Sequence, residues 1–193
     1  MKTILAPARL FTVAALLALT SPALFAQVPA TPATTTAPGG TAAAKPLAPP
    51  DKKFITDTGK SFYYELRLAD AAKTGAKADA TKKYAESVNK DLQKAWEKLG
   101  EIAQAKGEKV PTELVGSDKG KAERLKKMKP DGFDKVFFKE ILSEAKSVER
   151  DFVSAAKSSA DPEIKQFATD YLPSVKNHVI DGEKAEKEAA KAK

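Results

Sequence analysis

The chain contains a single imidazole, His178, and no thiol. Without Cys there are no disulfide staples, thiolate metal sites or cysteine nucleophile, and one His cannot build a His-rich metal site or an imidazole relay. His178 follows Tyr171 and Val175 at helical spacing, on what reads as an inward face. Such a residue is a core histidine bonded to a hydroxyl or carbonyl, with Tyr63, Tyr64 and Tyr84 as candidate partners; as a metal ligand it is a weak candidate. Paired carboxylates are the other route to chemistry. Glu97 with Glu101 and Glu140 with Glu144 have i,i+4 spacing, but both pairs sit among lysines and read as solvated outer faces. No G-x-S-x-G, P-loop or dinucleotide glycine pattern occurs. The residues therefore give no catalytic constellation, and neither an enzyme nor a cofactor is expected.

The strongest charge bias lies in Lys119, Lys121, Arg124, Lys126, Lys127 and Lys129, opposed locally by Asp118 and Glu123. Two readings compete for it: a soluble basic helix, and a patch that holds anionic material. The whole chain carries +7 with pI near 9.3. That balance raises nucleic acid as a partner, but the beginning of the chain argues against it.

Lys2 and Arg9 precede an apolar run from Leu10 to Leu19, followed by Ser21-Pro22-Ala23 and Ala26. This is the pattern of a secretory signal, too short to span a bilayer, with cleavage after Ala26 or alternatively after Ala23. Cleavage would leave a charge of about +5 and no transmembrane anchor. The expected location is periplasmic or secreted, the expected partners are anionic envelope components or an envelope protein, and nucleic acid is not expected. Residues 27–50 are almost entirely Ala, Thr, Pro and Gly, and read as an extended, disordered linker.

Helical periodicity begins at Asp51. The first helix is expected over about 51–74, carrying Phe54, Ile55, Phe62, Leu66 and Ala69, with Gly59 weakening it and Gly75 ending it. Tyr84, Val88, Leu92, Ala95, Leu99 and Ile102 form one face of a second helix that stops at Gly107. Beside that stripe, Trp96 is expected to pack at the core's edge. After a loop through Pro111, a short helix is expected over 118–129, broken by Pro130-Asp131-Gly132. Phe133, Phe137, Ile141, Ala145, Val148, Phe152 and Ala155 define the next long helix. Asp161-Pro162-Glu163 caps the last, in which Pro173 predicts a kink. From Gly182 the chain is expected to fray, with 186–193 as a loose Lys/Ala-rich tail.

These segments together resemble a known family. Asp51-Lys-Lys-Phe-Ile, Glu65-Leu66 with Leu68-Ala69, Val110-Pro111-Thr112-Glu113-Leu114 and Phe133-Asp134-Lys135-Val136-Phe137 are similar, in order and spacing, to the domain-of-unknown-function 4142 family. So are Asp161 to Ala168 and Tyr171 to His178. The resemblance covers about residues 51–185. It implies an all-α, ferritin-like antiparallel four-helix bundle with one short extra helix, in exported bacterial proteins, and brings no activity with it.

Members of the family typically carry Asp-His pairs that would fall on Asp91-Leu92 and Glu144-Ala145, and a His that falls on His178. Leu92 and Ala145 both lie on the apolar stripes, so two of the three imidazoles are replaced by hydrocarbon. A ferritin-like di-metal site also needs Glu-x-x-His pairs, and residue 175 is Val. Asp91, Glu144 and Glu65 each stand one position from a core residue, about 100° round a helix, and are expected to face away from the axis. The expected function is non-catalytic binding or scaffolding in the cell envelope. The alternative is a metal-handling or redox-stress protein with a degenerate site at His178.

Overall fold

The computed structural model describes residues 46–192; the expected signal at 1–26 and linker residues 27–45 lie outside the described residues. Those described form five α-helices and no strand: α1 Pro49–Gly75, α2 Asp79–Ala105, α3 Gly116–Lys126, α4 Pro130–Ser158 and α5 Pro162–Lys191. Helix α1 packs against α2 and α4, α5 against α4 and α2, and α3 against α1 with a lesser contact to α4.

The stripes read from sequence are the buried faces. Val88, Leu99, Phe137, Ile141, Phe152 and Ile164 are wholly excluded from solvent. Aromatic rings concentrate at two levels. Phe54, Phe62 and Phe167 surround Phe152, with centroids 5.3, 5.8 and 5.7 Å from it. Tyr84, Phe133 and Phe138 surround Phe137 at 6.2, 6.1 and 5.2 Å. Edge-on and tilted ring contacts, and the stacked pair Phe133 with Phe137, add to the burial of each ring, worth about 1.5–3 kcal/mol apiece.

Local chemistry sets the helix ends. Proline stands in the first turn of α1, α4 and α5, where its missing N–H costs nothing. Asp161 caps α5, accepting from the N–H groups of Glu163 and Ile164 at 3.0 and 3.1 Å. Gly107, at φ +72°, turns the chain after α2 while the Glu108 N–H reaches back to the Ala103 carbonyl at 2.8 Å. Gly132, at φ +90°, makes the break expected at Pro130-Asp131-Gly132. Two glycines serve packing instead. A Cβ on Gly75 would lie 2.3 Å from the Phe133 ring, and one on Gly59 would lie 2.6 Å from Val110. The loop after α2 therefore seats on the glycine that weakened α1 in the sequence.

The expected fraying from Gly182 does not occur. Helix α5 continues to Lys191, because Gly182, Ala185 and Ala189 form a small-residue face that is buried. A Cβ at Gly182 would meet Leu142 at 2.6 Å and the Tyr84 hydroxyl at 2.7 Å. Helix α5 also runs unbroken through Pro173. At the other end, α1 starts at Pro49, and Leu47 is already buried on the core, so order begins slightly ahead of Asp51.

Candidate functional site

The basic segment forms α3 and the turn that follows. Ala122 and Leu125 are buried, while Lys119, Lys121, Arg124, Lys126, Lys127 and Lys129 are all exposed. Lys121 is the one of these six with an ion pair among the described residues, reaching Glu140 of α4 at 3.0 Å. That hydrogen bond and charge raise its pKa despite partial burial. Glu140 also accepts from the Tyr64 hydroxyl at 3.3 Å, so Lys121 ties α3 down on the α1–α4 seam. Arg124 and Lys126 stand in the last turn of α3, where a cation also complements the helix dipole. The remaining cations face water.

Beside them, α3, the preceding loop and α1 enclose a cleft of about 640 Å³. Its α1 wall is Tyr63, Arg67, Asp70 and Thr74, spaced 4, 3 and 4 and hence on one helical face. Its α3 wall carries Lys119 and Lys126. The Arg67 guanidinium lies 5.0 Å from the Tyr63 ring centre and 3.3 Å from Asp70. Lys73 and Asn89 also donate to Asp70, at 2.8 and 3.2 Å. Trp96 packs partly buried at the core's edge, its ring 6.2 Å from Tyr63. Reading the sequence for basic clusters misses Arg67, a lone cation on a helix of mixed charge. The Tyr-Arg-Asp-Thr stripe at 63, 67, 70 and 74 is the signal that would have found it.

The acidic residues depart from expectation. Glu65 does not face away; it is 2% exposed. Helix α1 has neighbours on three sides, α2, α4 and α3, so a position off its main apolar stripe is covered all the same. Burial, and then the charge of Glu144, push the Glu65 carboxyl well above its ordinary value. Glu140 and Glu144 are not a solvated pair either. The Glu140 side chain is 12% exposed, and Glu144 is half-buried and accepts from the Ser61 hydroxyl at 2.5 Å. Glu97 and Glu101 are exposed, as the sequence suggests.

His178 is buried, as expected of a core histidine, but its ring partner is a carboxylate. Nε2 stands 3.4 Å from Oδ2 of Asp91 on α2, and Tyr84 donates instead to the His178 backbone carbonyl at 2.9 Å. Asp91 thus lies half-buried toward α5, not away from it. Burial lowers the His178 pKa, with Asp91 opposing it only in part, which favours a neutral ring. Leu92 and Ala145 are buried on the stripes assigned to them. Among the described residues, no three His, Asp or Glu side chains converge to hold a metal ion. No helix among the described residues is long and apolar enough to cross a membrane.

Comparison with known proteins gives one match. The family described as domain of unknown function (DUF4142) matches residues 36–185. No curated protein and no solved structure matches the chain.

Proposed function

The chain belongs to the DUF4142 family, and from that premise we propose a non-catalytic binding or scaffolding role in the cell envelope, exercised through the basic face of α3. The carrying observation is that Lys119, Arg124, Lys126, Lys127 and Lys129 stand exposed on one short helix and its following turn, without an ion pair among the described residues. Cations that stabilised the fold would be matched to carboxylates, as Lys121 is to Glu140 and Lys106 is to Asp161. An array left open to solvent suits an anionic surface. We read α1, α2, α4 and α5 as a ferritin-like antiparallel four-helix bundle, supported by the pairing of α1 with α2 and α4 and of α5 with the same two. Export through a cleaved signal at 1–26 would bring this domain to anionic lipid and polymer.

The reading is tested by binding to phosphatidylglycerol vesicles and to a soluble uronic-acid polymer. Wild type should bind both more tightly than phosphatidylcholine, and a roughly tenfold rise in salt should weaken binding strongly. Changing Lys119, Arg124, Lys126, Lys127 and Lys129 together to Gln should abolish it with the fold intact. Binding that ignores both salt and those substitutions contradicts the proposal.

A further inference from the structure

The open cations of α3 do not form a featureless patch, because two of them, Lys119 and Lys126, also wall the cleft against α1. From Val110 on Gly59 to Phe133 on Gly75, the segment that holds α3 advances along α1 in the direction of α1 itself. The middle of α3 is tied by Lys121 through Glu140 to Tyr64, between those two contacts. Lys119 and Lys126, two turns apart, therefore follow the same course as the α1 stripe from Tyr63 to Thr74.

Arg67 is the organised member of this wall. Its side chain is 46% exposed, but its guanidinium is braced by the Tyr63 ring and by Asp70, so part of its side-chain freedom is already lost before an anion binds. Asp70, which accepts from Arg67, Lys73 and Asn89, is already satisfied and offers no competition for a ligand's own donors. Glu113 and Glu123 also line the cleft, so its charge is balanced overall. A balanced lining disfavours a bare multivalent anion and suits a group with one negative charge on a neutral, hydrogen-bonding body. The Thr74 and Thr112 hydroxyls supply further neutral donors and acceptors. The volume, about 640 Å³, is in the range that encloses a small organic ligand.

We propose that this cleft is a binding site for an acidic sugar unit, with Arg67, Lys119 and Lys126 holding its carboxylate and the threonine hydroxyls meeting its ring hydroxyls. The inference rests on the reading that anionic material binds at the α3 face, and it adds a substrate class and a residue, Arg67, that the basic cluster does not contain.

The test is calorimetric titration of the full chain with trigalacturonic acid, and with the neutral trisaccharide maltotriose as control. Wild type should bind the acid and not the neutral sugar. Arg67→Ala and the pair Lys119→Gln with Lys126→Gln should each weaken binding at least about tenfold. Arg67→Lys should also weaken it, because it keeps the charge and loses the fork. The outer set Arg124→Gln, Lys127→Gln and Lys129→Gln, part of the basic face but not of the cleft, should weaken it less than the cleft set does, and the exposed α5 pair Lys176→Gln with Lys187→Gln should leave it within about twofold. Circular dichroism on each variant separates lost binding from lost folding. Equal losses in the outer set and the cleft set would leave the basic-face reading standing and overturn the cleft. No binding by wild type, or binding of maltotriose as tight as of the acid, would also overturn it. If vesicle binding in the preceding test failed as well, the basic-face reading would fall with it.

Discussion

The interior of the protein and the outer face of α3 treat charge in opposite ways. Inside, charged groups are answered. Asp51, 3% exposed, accepts from the Ser159 hydroxyl at 2.8 Å and the Asp161 N–H at 3.1 Å, fastening the first turn of α1 to the α4–α5 connection. Lys106 binds Asp161 at 2.8 Å and Glu163 at 3.0 Å, fastening the end of α2 to the start of α5. Burial alone would raise the Asp161 pKa, but Lys106 and the capped N–H groups together hold it below its ordinary value. Glu65 has no such cation among the described residues, and burial holds it toward the neutral acid. On α3 and the turn after it, five cations have no acidic partner among the described residues and no structural task beyond the helix dipole. The contrast separates polar groups that build the fold from those left over for something else.

That contrast can be broken residue by residue, beginning with the interior. Asp51→Ala should be the most damaging change, destabilising by about 2 kcal/mol, because it leaves the half-buried Asp161 N–H without its acceptor and the Ser159 hydroxyl with only the Asp161 carbonyl; thermal or urea melting measures it. Glu65→Gln should act in the other direction. Below the ordinary carboxyl value of 4.5 both folded and unfolded chains hold the Glu65 proton, so wild type is unpenalised there. As pH rises above it, the unfolded chain releases the proton while the folded chain keeps it, and stability falls toward the raised folded value. The variant should therefore melt above wild type at about pH 7 and converge with it near pH 4. A gap that stays constant with pH would mean Glu65 is ionised in the fold.

His178→Leu should cost less than about 1.5 kcal/mol at neutral pH, since a neutral ring is exchanged for hydrocarbon of similar size. The lowered His178 pKa means wild-type stability is lost as pH falls below 6.5, so the variant should gain on wild type in acid. The smallest effect on stability is expected for the five-residue α3 neutralisation, within about 0.5 kcal/mol. A large loss there would erase the distinction between the two regions.

Much of the helical layout was legible because apolar residues at threes and fours mark it directly. Tyr84 to Ile102 and Phe133 to Ala155 are buried as their spacing requires. Punctuation was legible too, at Gly107, Pro130 and Asp161. What the one-dimensional pattern could not convey was how many neighbours each helix has. Glu65 looked peripheral beside Leu66 because a single stripe was assumed, and α1 is covered on three sides. Asp91 looked outward beside Leu92, yet α5 passes close enough to bring His178 to it. The end of α5 looked too polar to stay ordered. Its alanines are spaced for packing, a signal that average composition hides. The basic cluster was plain from sequence, but the cleft beside it depends on Arg67, which joins α3 only through tertiary packing.

The most direct measurement sets the two regions against each other in a single binding assay. Uronic-acid polymer and phosphatidylglycerol vesicles would be titrated with wild type, the α3 five-residue variant, and the interior double variant Glu65→Gln with His178→Leu. The account predicts that the interior variant binds as wild type does, while the α3 variant, equally folded, does not bind. Loss of binding in the interior variant with the α3 variant unaffected would contradict it and place the function inside the helices.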